Sequence, residues 1–151
     1  MVRNWKQLGL GVLLAIGGAI ATATKCAAQI TLDGTLGPQG TLSGPNYIIR
    51  QADGLAVGNN LFQSFGRFNL NAGESANFQS AANIRNILSR VTGGSGSFID
   101  GRIFTQSRNV NLFFMNPSGI IFGPNASLNV GSATRGSFIA TTANALVLGK
   151  W

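Results

Sequence analysis

The sequence contains no histidine and a single cysteine, Cys26, in 151 residues. A Ser-His-Asp triad and a Cys-His pair are thereby excluded, and most metal sites lose their usual ligands. Acids are almost as scarce. Asp33, Asp53, Glu74 and Asp100 are the only carboxylate side chains. A glycosidase or lyase works through a convergent pair of such groups. Yet Asp33, Asp53 and Asp100 each precede a glycine, and Glu74 follows Gly73. Asp-Gly is a turn signal in its own right, because the Asp side chain bonds nearby backbone and Gly accepts positive φ. We therefore assign no catalytic residue, no metal ligand and no cofactor. EF-hand, phosphate-loop and dinucleotide motifs are absent, and Gly93-Gly94-Ser95-Gly96 lacks the lysine a phosphate loop requires.

What is present begins with a leader. Arg3 and Lys6 form a basic start, and Leu8 to Ala21 is a 14-residue run without charge. Small residues follow, ending in Cys26-Ala27-Ala28. This order predicts a secretory signal peptide over residues 1–28. The run is shorter than the roughly 20 residues a spanning helix needs, so no stable membrane span is expected after cleavage. A retained anchor is the alternative. Cleavage is placed after Ala28, with Cys26 and Ala28 at −3 and −1, and after Ala23 as second choice. Lys25 directly before Cys26 argues against a lipoprotein site. The processed chain, residues 29–151, would hold no cysteine, so no disulfide framework is available even in an oxidising compartment.

The net charge of +7 partly belongs to the leader. Residues 29–151 carry eight basic residues against four acids, a net +4. The basic residues are spread along the chain, whereas nucleic-acid binding shows as a clustered basic face. No nucleic-acid partner is expected; weak contact with anionic glycans stays open.

Short apolar or β-branched runs alternate with Gly, Pro, Asn and Asp along the mature chain. Thr31-Leu32, Tyr47 to Arg50 and Leu55 to Val57 read as strands between turns such as Asp33-Gly34, Gly37-Pro38 and Gly58-Asn59-Asn60. In Leu61 to Leu70, Phe62, Phe68 and Leu70 share one parity and Phe65 breaks it, which predicts a half-buried strand with a bulge at Gly66. Ile84, Ile87, Leu88 and Val91 are spaced like the apolar face of a helix. Beyond Ser97, apolar runs centre near Ile103, Phe113, Ile121, Leu128, Ile139 and Val147. Three such strands would make one coil of roughly two dozen residues, within the unit size of a solenoid. No literal repeat is visible. A sandwich or barrel fits the regular short strands. A parallel β-helix fits their brevity, the 15 Asn and continuously apolar runs such as Leu112 to Met115. Composition leaves the two even.

Asn116-Pro117-Ser118-Gly119-Ile120 joins two apolar runs. Pro at the second and Gly at the fourth position suit a type I turn, with Asn bonding backbone at the first. Turn chemistry explains this motif without invoking binding.

Several blocks together resemble the N-terminal secretion domain of filamentous-haemagglutinin-like exoproteins, the secreted partners of two-partner secretion systems. The similarity is closest to the short branch common in cyanobacteria. The blocks are Asn60 to Phe65, Asn86 to Gly94, Ile99 to Ile103, Asn111 to Pro124 and Ser137 to Thr142, in family order over nearly the whole mature chain. The family turn usually reads Asn-Pro-Asn-Gly-Ile; Ser118 replaces its third residue and remains a small turn former. A second Asn-Pro motif of longer members is absent.

The resemblance implies a right-handed parallel β-helix with an N-terminal cap over residues 29–151, and it assigns residues 84–91 to a strand despite their spacing. It also implies export through the periplasm, where periplasmic modules of an outer-membrane β-barrel transporter recognise the chain through Asn116, Pro117, Ser118, Gly119 and Ile120. Folding would then start outside the cell, leaving the chain extracellular or on the cell surface. Family exoproteins continue far beyond this domain, so the chain is expected to be truncated or a fragment. A small adhesin that binds surface glycans is the alternative function. A β-helix polysaccharide lyase is disfavoured by the scarcity of acids.

Overall fold

The computed structural model describes residues 30–132 and 134–147. In chain order the strands are β1 (Ile30–Asp33), β2 (Gln39–Thr41), β3 (Asn46–Ile49), β4 (Leu55–Val57), β5 (Asn60–Phe68), β6 (Ser75–Phe78), β7 (Asn86–Val91), β8 (Ser97–Ile99), β9 (Arg102–Thr105), β10 (Asn111–Met115), β11 (Ile120–Phe122), β12 (Ser127–Asn129) and β13 (Phe138–Thr141). One 3-10 turn, Gln51–Asp53, lies between β3 and β4.

The strands stack in three parallel columns. β5, β7, β10 and β13 form the first face, β3, β6, β9 and β12 the second, and β8 with β11 the third. A bridge between Leu70 and Ile99 extends the third face to the coil before. The register gives the coil length directly. Leu61 pairs with Ile87, Ile87 with Leu112, and Leu112 with Phe138. The protein is thus a parallel β-solenoid with coils near the expected two dozen residues. Its N-terminal side is closed differently. β1 and β4 each pair antiparallel with β5, and β2 extends β1. These three strands are the cap.

In a parallel stack, in-register residues point the same way, so each inward position becomes a column. Tyr47, Ala76 and Ile103 form one buried column, and Leu61, Ile87 and Leu112 another. Phe65, Phe68, Phe78 and Phe114 meet at the centre. The Phe68 ring lies 4.8 Å from Phe114 and 5.2 Å from Phe65, both edge-on. Burying such rings is the main stabilising term, with about 0.5–1.5 kcal/mol more from each edge-on pair. Among the described residues, no helix is long and apolar enough to cross a membrane.

Several sequence expectations meet this fold. The bulge falls at Gly66: Thr31 pairs with Arg67 but Leu32 with Phe65, so Gly66 is skipped. The parity before the bulge is the reverse of the one expected. Leu61, Gln63 and Phe65 face inward, while Phe62 points out. Residues 86–91 form a strand, as the family resemblance implies. Ile87 and Leu88 are both buried because this strand is covered on two faces, and two-sided burial produces the helix-like spacing. Gly40 sits in cap strand β2, paired with Leu32 of β1. In the run at Val147, the described residues 145–147 form no strand, and Val147 is 95% exposed.

Candidate functional site

The turn at Asn116 is the corner between β10 and β11. β10 delivers it, because alternating Leu112 and Phe114 lock the strand into the core. Asn116 is itself buried. Its Nδ2 donates to the Ser95 carbonyl at 3.0 Å and to Ser97 Oγ at 2.9 Å. Its Oδ1 accepts from the Ser118 amide at 2.9 Å. Its carbonyl accepts from the Gly119 amide at 3.0 Å, which closes the four-residue turn. Its own amide donates to Thr141 in β13 at 3.0 Å. A buried amide side chain left unpaired would cost about 1–3 kcal/mol; here both ends are satisfied. The partners lie on the preceding coil (Ser95, Ser97) and the following one (Thr141). One side chain and its peptide group therefore stitch three successive coils.

The remainder of the motif divides by exposure. Pro117 and Ser118 form the exposed apex, and Gly119 and Ile120 are half-buried. Gly119 has φ of +113°, a conformation that glycine reaches without the penalty a side chain brings. Its carbonyl accepts from the Ser97 amide at 3.0 Å, and Ile120 pairs with Ser97 in the ladder. Beside the apex is a recess of about 270 Å³, walled by Arg90, Thr92, Pro117, Ser118 and Asn144. Sequence reasoning found the turn but not Ser95, Ser97 or Thr141, which complete it from elsewhere in the chain. Cys26, Ala27 and Ala28 lie outside the described residues.

A second polar feature escaped sequence reasoning. Asn86 Nδ2 donates to Asn60 Oδ1 at 2.8 Å, and Asn111 Nδ2 donates to Asn86 Oδ1 at 2.9 Å. The three amides form a ladder at the start of β5, β7 and β10. The available signal was their separation, 26 and then 25 residues, which is one coil each.

All four carboxylates bond to the chain itself. Asp53 accepts from the Arg50 amide, Glu74 from the Asn71 amide, and Asp100 from both the amide and Nδ2 of Asn125. Asp33 ties the cap to the coils. It accepts from Ser64 Oγ at 2.5 Å, Thr92 Oγ1 at 2.7 Å, and the amide and hydroxyl of Thr35. Partial burial pushes its pKa up, but these hydrogen bonds together outweigh it and hold the group at about 2. Among the described residues, no three His, Cys, Asp or Glu side chains gather where they could hold a metal ion.

Comparison with known proteins places this geometry in a family. The TPS secretion domain family matches residues 28–150. The chain belongs to that family: it carries the N-terminal secretion domain of a two-partner-secretion exoprotein. Searches of curated proteins and of solved structures returned no match.

Proposed function

We propose that this chain is read in the periplasm by modules of an outer-membrane β-barrel transporter, and that its coils begin to fold as they emerge outside the cell. In this reading residues 1–28 are the signal peptide, cut after Ala28. Residues 29–151 are the secretion module, ending extracellular or attached to the cell surface. The role is binding rather than catalysis, which is supported by the engagement of Asp33, Asp53, Glu74 and Asp100 with the chain's own donors.

The observation that carries the reading is the corner at Asn116. Its Nδ2 partners, Ser95 and Ser97, belong to the coil before it, so the side chain is satisfied only when that coil is in place. A chain arriving in sequence order then has a reason to fold one coil upon another, and each folded coil opposes backward movement. In transit the same segment is unfolded and free to add to a periplasmic module as an extended strand.

The test is secretion with the transporter co-expressed. Asn116→Ala combined with Pro117→Ala should leave the chain in the periplasm, with little in the medium. Release equal to that of the unaltered chain would refute the assignment.

A further inference from the structure

The residues that follow β13 leave the path of the coils. Met115 pairs with Thr141, so Thr142, Ala143, Asn144 and Ala145 stand one coil after Asn116, Pro117, Ser118 and Gly119. They cannot repeat that corner. Asn116 Nδ2 donates twice to the coil before it, whereas a threonine hydroxyl carries a single donor. Ala145 would be strained at the φ of +113° that Gly119 adopts. The chain turns differently: the Ala143 amide donates to Thr141 Oγ1 at 3.1 Å. Asn144 then lines the recess beside Pro117 and Ser118.

The segment arrives on the outer side of the first face. Asn144, Ala145 and Leu146 wall a groove of about 340 Å³ with Phe62 of β5, Leu88 of β7 and Met115 of β10. Leu36, from the loop between β1 and β2 of the cap, lines it as well. Phe62 and Leu88 are in register on the side away from the core. Leu88 and Met115 are nevertheless buried, and neither belongs to the central cluster of core side chains. Their cover is therefore external. Near the cap, Asp33 covers the outer side in the same sense, accepting from the buried Ser64 of β5. Leu146 is half-buried, while its neighbour Val147 is 95% exposed. One short segment thus borders three successive coils and the cap.

We propose that residues 142–146 are a latch: a strap laid back over the first face that fastens the last described coil to the cap through Leu146 and Leu36. Its groove does not exist until β5, β7 and β10 are stacked in register, and β13 must be added to carry the segment there. Closure is thus a late event that follows stacking and does not start it. A contact made after the rate-limiting step stabilises by slowing unfolding. In the folding reading above, this holds a module that has emerged outside the cell against unravelling. That role rests on the reading; the latch itself does not.

The test is unfolding and refolding kinetics of the chain in denaturant, with no transporter present. Leu146→Asp should speed unfolding about tenfold and leave refolding within about twofold, because a contact made last is absent from the transition state. Val147→Asp, next door on an exposed side chain, should change neither rate by more than about twofold. Leu36→Ala and Leu146→Ala should each speed unfolding about threefold, and the double variant should unfold at nearly the rate of either single, since each opens the same closure. Rates in Leu146→Asp equal to those of Val147→Asp would remove the strap. Slower refolding with unfolding unchanged would place the contact early and overturn the latch. A double variant unfolding about ninefold faster would show two unrelated contacts and break the link between Leu36 and Leu146. Each of these failures leaves the transporter reading standing, because secretion of the Asn116 and Pro117 variant tests that reading separately.

Discussion

The two ends of the stack differ in how they treat identical positions. At the capped end, Tyr47 begins an inward column that continues through Ala76 and Ile103, and all three are buried. Leu128 is the next member of that column and is 47% exposed. The third face repeats the contrast, with Ile99 fully buried and its partner Phe122 41% exposed. Leu128 is no less apolar than Ile103; among the described residues, no coil covers its far side. Burial in this fold is thus produced by stacking rather than by the composition of any one rung. The same holds for polar groups, since Asn116 Nδ2 and the Asn ladder find their partners on neighbouring coils.

The sharpest way to break the comparison is a matched pair of truncations. Ile103→Ala should lower unfolding free energy by about 3 kcal/mol, as for other buried aliphatic side chains. Leu128→Ala should cost about 1 kcal/mol, because nearly half of its area is already in water. Denaturant midpoints of the two variants measure this, and equal losses would break the argument. Next in size is Asn116→Ala, which removes three side-chain hydrogen bonds and strands Ser97 Oγ; it should cost about 2 kcal/mol. Asn86→Ala interrupts the ladder at its centre and should cost about 1 kcal/mol.

An effect of similar size concerns the cap and depends on pH. The Asp33 carboxyl has a folded pKa of about 2 against an ordinary 3.8. A group depressed in this way stabilises the fold fully above its unfolded pKa, and the contribution disappears as pH falls through the folded one. Solvent screening on its exposed side limits the gain to about 1 kcal/mol. Stability should therefore decline between about pH 4 and pH 2, and Asp33→Asn should flatten that decline. An unchanged acid profile in the variant would show that Asp33 does not hold the cap.

The sequence was most legible where chemistry is local. The Asp33-Gly34 turn with Gly34 at positive φ, short β-branched strands and the Gly66 bulge each follow from neighbouring residues, and the four-residue turn at Asn116 closes as its Asn-Pro-x-Gly order predicts; Gly54, by contrast, is extended, and Asp100 bonds Asn125 a coil away. It was least legible where the cause lies a coil away. Ile87 and Leu88 mimic a helical stripe because both faces of β7 are covered. Phe62 points outward because the bulge reverses parity after it, and Gln39 to Thr41 forms a strand only because β1 offers an edge. For the same reason Ser95, Ser97 and Thr141 could not be connected to Asn116 from the sequence, although they determine its geometry.

Native-state hydrogen exchange tests the central claim, that cover from the next coil confers stability, on a pair of equivalent amides. The Arg102 amide donates to Glu74 at 2.9 Å, and the in-register Ser127 amide donates to Gly101 at 3.1 Å. Both are hydrogen-bonded, and only the second belongs to the uncovered coil. Arg102 should exchange only with global unfolding, and Ser127 about a hundredfold faster through local opening. Equal protection at the two amides would contradict the account.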